Sequence, residues 1–248
     1  MKKRLTPEEA VKKIKTGDIL LVGGFGLSGS PLTLIDSLLE HDVKELTVVS
    51  NNLGEEGRGL GKLLVSKQLK KAMGSYFTTN RDAVKAWSAN ELEIELIPQG
   101  TLAESLRAGG AGIAAYFTRT AVGTKLAEGK EVREFDGEPY VLEQAIKGDV
   151  SLVKALKADT MGNLYYHKTA MNFNPEIATA GEIVIAEVDE IVEPGEIVPE
   201  DIGTPHIYVD YVVTNDKYMK KGGRYVEQDS STRSSQNRTE SSKRASRW

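Results

Sequence analysis

LLVGGFGLSGSPLTLIDSLL, residues 20–39, places four glycines in the seven positions 23–29, between an apolar run and a segment of helical period. Ile19–Val22 reads as a buried strand, and Ser30-Pro31 as the cap of a helix whose Leu34, Ile35, Leu38 and Leu39 share one side. A glycine-rich turn between strand and helix exposes backbone N–H groups at a helix N-terminus, where the dipole favours an anion or a developing negative charge. In an open α/β sheet, ligands also collect at the carboxyl ends of strands. So bare a backbone suits a place where the chain takes positive φ or a ligand approaches the main chain closely.

The same alternation continues outward. Thr6-Pro7-Glu8-Glu9 forms a capping box with proline at the first helical position, and Ala10, Val11 and Ile14 follow on one face. Leu46–Val49 predicts a strand, as do 73–77, 93–97, 151–156, 163–166, 183–187 and 207–213, with helices near 59–67, 81–89 and 101–108. The helix at 101 carries its own capping box, Thr101 to Glu104, and an expected stop at Gly109-Gly110. Strands and helices in turn predict an α/β fold: a mainly parallel open sheet with helices on both faces. No internal repeat is visible.

Composition narrows the function. With 40% hydrophobic and 27% charged residues the 248-residue chain can bury a proper core. Lys plus Arg number 32 against 36 Asp plus Glu, so no basic surplus points to nucleic acid or an anionic membrane. There is no cysteine, which removes disulfides, thiol nucleophiles and zinc clusters built on thiolates. MKKRLTPEEAVKK lacks the apolar stretch of a secretory signal, no apolar run approaches the ~18 residues of a membrane span, and the expected location is the cytoplasm. The last twenty residues, DSSTRSSQNRTESSKRASRW, are almost free of apolar side chains. The expected organisation is one domain over 1–215 and a disordered tail over 216–248.

Gly24-x-Gly26-x-x-Gly29 satisfies the dinucleotide fingerprint in form, but Ser30-Pro31 opens the helix only after the last glycine. The second strand ends in Ser50-Asn51-Asn52 without the carboxylate that would hold a ribose. No Lys-Ser/Thr follows, and Gly26-Leu27-Ser28-Gly29 misses the nucleophile-elbow pattern by one residue. His41, His167 and His206 lack metal-ligand spacing, so no metal is expected. Glu91, Glu93 and Glu95 read as the wet face of a strand, Glu55-Glu56-Gly57 as a solvated loop, and Tyr165-Tyr166 as packing.

GGFGLSGSP, SNN at 50–52, PQGTLAESLRAGGAG at 98–112, Asp149–Ala155 with Lys157–Asp159, and NFNP at 172–175 occur in the order of one family. Over about residues 5–215 the chain resembles the A subunit of the family I coenzyme A transferases, of the 3-oxoacid type. The resemblance implies a fold shared with sugar-phosphate isomerases, coenzyme A as a substrate with no permanently bound cofactor, and a partner B subunit that carries the catalytic glutamate. It implies a dimer of A–B pairs. In that chemistry a carboxylate attacks an acyl-CoA thioester, giving an anhydride and then a glutamyl thioester, each through a tetrahedral oxyanion. Gln99 matches the family glutamine beside the reacting thioester, and the CoA-associated loop maps to Gly23, Gly24, Phe25, Gly26, Leu27, Ser28 and Gly29. Asn51 and Asn52 are candidates for binding a substrate carboxylate or CoA amides.

The chain departs from the family pattern at several places. Met171 stands where close relatives have arginine; Ala114, Arg119 and Ala121 replace Pro, Pro and Gly; and Thr78-Thr79-Asn80-Arg81 replaces Gly-Glu-Asn. Loss and gain of arginine bears on how a substrate carboxylate is anchored. Two other classes stay open at this point: a dinucleotide-dependent oxidoreductase, and a non-catalytic binding protein of the same fold.

Overall fold

The computed structural model describes residues 3–215, 218–221 and 224–227. In chain order the elements are β1 (Lys3–Arg4), α1 (Pro7–Val11), β2 (Ile19–Val22), α2 (Leu32–Leu39), β3 (Leu46–Val49), α3 (Leu60–Val65), β4 (Leu69–Gly74), α4 (Arg81–Ser88), β5 (Glu93–Leu96) and α5 (Gln99–Gly110). There follow β6 (Ala115–Thr118), β7 (Val132–Phe135), β8 (Glu138–Gln144), β9 (Gly148–Asp159), β10 (Leu164–Tyr165), α6 (Asn174–Ala180), β11 (Gly181–Val192), β12 (Tyr211–Thr214), β13 (Tyr218–Lys221) and β14 (Arg224–Glu227).

Among the described residues, nine strands form the main sheet. Its path is β1-β12-β11-β9-β2-β3-β4-β5 with every neighbouring pair parallel, and β10 adds antiparallel to β9. The continuous apolar runs of β2 and β3 follow from burial on both faces. Leu20, Val22 and Val48 pack on one side with Ala10, Leu34, Leu63 and Ala83 of α1–α4, whereas Leu21 and Val49 point the other way, onto Leu102 and Leu106 of α5 and Ile177 of α6. Because the strands are parallel, the turns that follow β2, β3, β4 and β5 all emerge along one edge of the sheet. Among the described residues no helix is long and apolar enough to cross a membrane.

Several local expectations change. Thr6 and Glu9 do make the capping box, Glu9 N–H donating to Thr6 Oγ1 and Thr6 N–H to Glu9 Oε2. The box at Thr101 does not form: α5 begins two residues earlier, Pro98 is the cap, Leu102 N–H donates to the Pro98 carbonyl, and Glu104 turns to Arg107 at 2.7 Å. Ser30 does not cap α2, whose flanking residue is Pro31 and whose N-terminal amides find a carboxylate from β11. α5 does end at Gly110, as expected, but neither Gly109 nor Gly110 takes a positive φ; what excludes a side chain there is packing, since a Cβ would overlap the Ile146 carbonyl and the Thr179 hydroxyl. β4 runs over Leu69–Gly74 in place of 73–77, β9 and β11 are twelve residues each, and 206–208 is a 3₁₀ turn ahead of a shorter β12.

Helix α6, opened by Pro175, and the small antiparallel sheet β6-β8-β7 were not legible. Strands β13 and β14 pair as an antiparallel hairpin inside the segment read as disordered. Residues 216–217, 222–223 and 228–248, the remainder of that segment, lie outside the described residues.

Candidate functional site

The glycine loop after β2 closes on itself. Phe25 and Ser28 exchange backbone hydrogen bonds at 2.9 and 3.1 Å around Gly26-Leu27, with Gly24, Gly26 and Gly29 all at positive φ. Two separate demands explain the glycines. At Gly23 and Gly29 a side chain would collide with Asn174 or with the Ala170 carbonyl, whereas around Gly26 there is open space and the demand is conformational, φ +61°.

The collisions arise from two asparagines of the NFNP motif that sequence reasoning left without a role. Asn172 Oδ1 accepts from Gly24 N–H at 3.1 Å and its amide donates to the Ser28 carbonyl at 3.0 Å. Asn174, fully buried, accepts from Lys154 N–H at 2.9 Å and donates to the Gly29 carbonyl at 3.0 Å. A segment 148 positions downstream thus fixes the loop at both ends.

The loop after β3 has the same design. Glu55 and Arg58 exchange backbone hydrogen bonds at 3.3 and 3.0 Å around Glu56-Gly57, again flanked by positive-φ glycines, Gly54 and Gly59. A Cβ on Gly59 would meet Leu27 at 2.9 Å, so the two turns stand side by side. This strand-turn-helix repeat is not visible in sequence because, within the two turns, only the flanking glycines coincide, Gly24 with Gly54 and Gly29 with Gly59. Glu55, Glu56 and Arg58 are exposed and form ion pairs, Glu55 with Arg58 at 2.8 Å and Glu56 with Arg81 at 3.7 Å.

Asn51, Asn52 and Gln99 are brought together. Asn52 donates to Asn51 Oδ1 at 3.1 Å, and Asn51 donates to Gln99 Oε1 at 3.3 Å. Asn52 Oδ1 also accepts from Gly54 N–H at 2.8 Å, tying this chain of amides to the second turn. Asn51 and Asn52 are buried at 2% and 7% exposure, while Gln99, at the start of α5, is exposed. With its oxygen accepting from Asn51, the exposed Gln99 side chain keeps Nε2 as its donor end. Near the group, two buried hydroxyls have no hydrogen-bond partner among the described residues, Ser75 Oγ and Thr101 Oγ1.

Other sequence candidates lie elsewhere or serve packing. His41 Nε2 contacts the Ile14 carbonyl, His167 sits by Tyr165, and His206 bonds Asn163. Tyr166 is buried with its hydroxyl 2.7 Å from Thr204 Oγ1. Arg119 pairs with Glu138 at 2.8 Å on the small sheet, and Met171 is exposed beside Gly203.

Residues 4–215 match the sequence model of the coenzyme A transferase family, described as "Coenzyme A transferase". The chain belongs to the coenzyme A transferase family. It is 51% identical over 214 residues, 86% of this chain and 92% of the relative, to the A subunit of succinyl-CoA:3-ketoacid coenzyme A transferase from Helicobacter pylori (strain J99). The protein of the same name from Xanthomonas campestris pv. campestris (strain B100) is 55% identical over 202 residues, covering 82% of this chain and 84% of that one.

Among solved structures, an acyl-CoA transferase from E. coli O157:H7, captured as a thioester complex with CoA, superposes with a TM-score of 0.80 at 23% identity. The match covers 91% of this chain and 52% of that one, so this chain spans about half of its length. Glutaconate coenzyme A-transferase from Acidaminococcus fermentans matches with a TM-score of 0.76 at 20% identity, over 86% and 75% of the two chains. These structures establish the α/β fold of the coenzyme A transferases for this chain. The family match also removes support from a dinucleotide reading of the glycine loop, whose last glycine is occupied with Asn174 and lies outside α2. This coenzyme A transferase chain therefore handles CoA as a substrate.

Proposed function

We propose that this chain, through residues 1–215, is the A subunit of a cytoplasmic two-chain enzyme that moves CoA between succinyl-CoA and a 3-oxoacid such as acetoacetate. Relatives more than half identical, named as the A chains of such an enzyme, support the substrates and the existence of a second chain. The match of this chain to about half of a longer acyl-CoA transferase chain is in keeping with a site completed by another polypeptide.

The chemistry runs in balanced steps. A glutamate carboxylate of the B subunit attacks the thioester carbonyl, and CoA leaves as thiolate, giving a mixed anhydride. The thiolate then attacks the glutamyl carbonyl and releases the donor acid, leaving CoA on the glutamate as a thioester. The acceptor carboxylate repeats the sequence in reverse. Each addition places negative charge on a carbonyl oxygen.

We assign Gln99 Nε2 as a neutral donor to that oxygen, its direction fixed by the Asn51 amide. Asn51 has a second amide hydrogen to offer the substrate, and Asn52 is a positioning residue that holds Asn51 and the second turn. The Gly23–Gly29 loop supplies close backbone approach to CoA.

The observation that carries the reading is the Asn51–Gln99 pair, set beside two glycine turns at the carboxyl edge of a parallel sheet. The A and B chains are expected to associate as a dimer of pairs. Co-expression with a homologous B chain, followed by a transferase assay over a panel of short acids, tests the assignment: turnover of succinyl-CoA with acetoacetate supports it, and a stable complex inactive with every acid tried contradicts it.

A further inference from the structure

Behind the glycine loop lies a buried ionic group that the acyl-transfer chemistry does not use. Glu187, on the central strand β11 and 1% exposed, reaches across the sheet to the first turn of α2, where its Oε2 accepts from Leu34 N–H at 3.1 Å, with Thr33 N–H a further donor. It thereby does what Ser30 and Pro31 do not: it satisfies amides of the helix N-terminus with a negative charge. Lys154 of β9, equally buried, has its ammonium 3.8 Å from Glu187 and in contact with Asp189.

The backbone N–H of that same lysine is held by Asn174, whose amide ends on the Gly29 carbonyl. Two routes from neighbouring strands therefore converge on one short stretch. One runs from Lys154 through Asn174 to Gly29, the other from Glu187 to Thr33 and Leu34. Only Ser30-Pro31-Leu32 lies between their end points, so the set of the loop relative to α2 is fixed from within the sheet.

We propose that Glu187, opposed by Lys154, is a positioning residue for the Gly23–Gly29 loop, and that the charge on its carboxylate sets how the loop meets coenzyme A. Burial pushes the Glu187 carboxyl up to about 7, against the opposing pull of Lys154 and the α2 amides, with Asp189 adding to the rise. Among the described residues, the charged groups acting on it are Lys154 from β9 and Asp189 from its own strand, with the amides of α2 facing it. Protonation removes the attraction to Lys154 and weakens acceptance from Thr33 and Leu34. The loop then loses its charge-assisted support in a pH range where a cell can operate. The functional consequence rests on the transferase reading above, whereas the coupling of carboxylate to loop does not.

The test has two arms. In the first, ¹H–¹⁵N spectra of the isolated chain are followed from below to above pH 7 for the wild type and for Glu187→Gln. The amides of Thr33, Leu34, Gly24 and Gly29 are expected to shift together with one midpoint near 7, and to lose that midpoint in the variant. Glycine amides that stay still while Thr33 and Leu34 titrate overturn the proposal. In the second arm, kcat/KM for acyl-CoA is measured on the complex with its B subunit. Wild-type values are expected to fall below pH 7, and Glu187→Gln to give a flat profile about tenfold lower at high pH. An unchanged profile in the variant overturns the proposal. A wild-type complex without transferase activity would contradict the function and leave the first arm to decide the coupling. Should Glu187→Gln fail to fold, Glu187→Leu combined with Lys154→Met removes both buried charges together. That pair is expected to fold and to show the same loss of titration, and a loop that still titrates in it overturns the proposal.

Discussion

Asn51 donates its side-chain amide to Gln99 Oε1 across 3.3 Å, joining the end of β3 to the start of α5 over the intervening strands β4 and β5. Because an amide has one acceptor end and one donor end, committing the oxygen determines where the nitrogen points. Replacing Gln99 by alanine in the complex is expected to lower kcat by about 10²-fold while CoA binding changes little. Gln99→Glu keeps the shape but puts an acceptor where a donor is needed, and is expected to be slower still. Asn51→Ala is expected to lose about tenfold by releasing Gln99. Steady-state kinetics on the three variants checks the order, and equal rates for Gln99→Ala and wild type would remove the role.

The two kinds of glycine in the loop separate by substitution. Gly29→Ala meets both a positive φ and the Ala170 carbonyl, and is expected to destabilise the chain by about 3 kcal/mol in urea denaturation. Gly26→Ala has open space and only the left-handed conformation to accommodate, a cost of about 1 kcal/mol. Its expected defect lies in CoA affinity, read by calorimetry on the assembled enzyme. Gly24→Val, at φ +128° and within 3.1 Å of Ser30 Cβ, is expected to impair both.

Asn174→Ala leaves Lys154 N–H and the Gly29 carbonyl without their partner in a dry region. Each unsatisfied group costs about 1–3 kcal/mol, so a loss of at least about 2 kcal/mol is expected, with faster amide exchange at Gly24 and Ser30. Asn174→Asp keeps the acceptor for Lys154 N–H and loses the donor to Gly29. The oxygen that replaces the donor faces the Gly29 and Ala170 carbonyls at a fully buried place, so this variant is expected to be no more stable than Asn174→Ala, with the loop again released.

Stability should depend on pH through Glu187, and the sign follows from proton binding. Its carboxyl sits at about 7 in the folded chain against an ordinary glutamate value of 4.5, so the folded state binds more protons between those values. Stability is then highest below about 4.5 and declines as pH rises to about 7, beyond which the contribution stays lost. Subtracting the urea stability of Glu187→Gln from that of the wild type across this window isolates the effect. A difference that rises with pH would contradict the assignment.

Much of the framework can be read from local pattern. ILLV and LTVV are apolar throughout because both faces of a central parallel strand are covered, and Thr6 with Glu9 form a cap from residues three apart. Gln99, Asn51 and Asn52 were identifiable through the family's motifs, and the fold brings them into one chain of amides. What escaped depends on partners far away in sequence. Asn174 reaches Gly29 across 145 positions and Glu187 reaches Leu34 across 153, and no periodicity encodes either contact. Thr101 and Glu104 have the spacing of a capping box, yet Pro98 starts the helix first. The twin turns after β2 and β3 share glycines but little else, because turn geometry constrains φ and leaves the remaining side chains free.

Labour is divided, on this reading, between two polypeptides: this chain orients the thioester with Gln99 and the glycine loop, and another chain supplies the nucleophile. The decisive experiment incubates the A–B complex with succinyl-CoA, traps the thioester and maps it by peptide mass spectrometry. One modified glutamate is expected on the B chain and none on this chain, which alone should show no turnover. An adduct on Glu55 or Glu56, the exposed acids of the second turn, or turnover without a partner, would contradict the division.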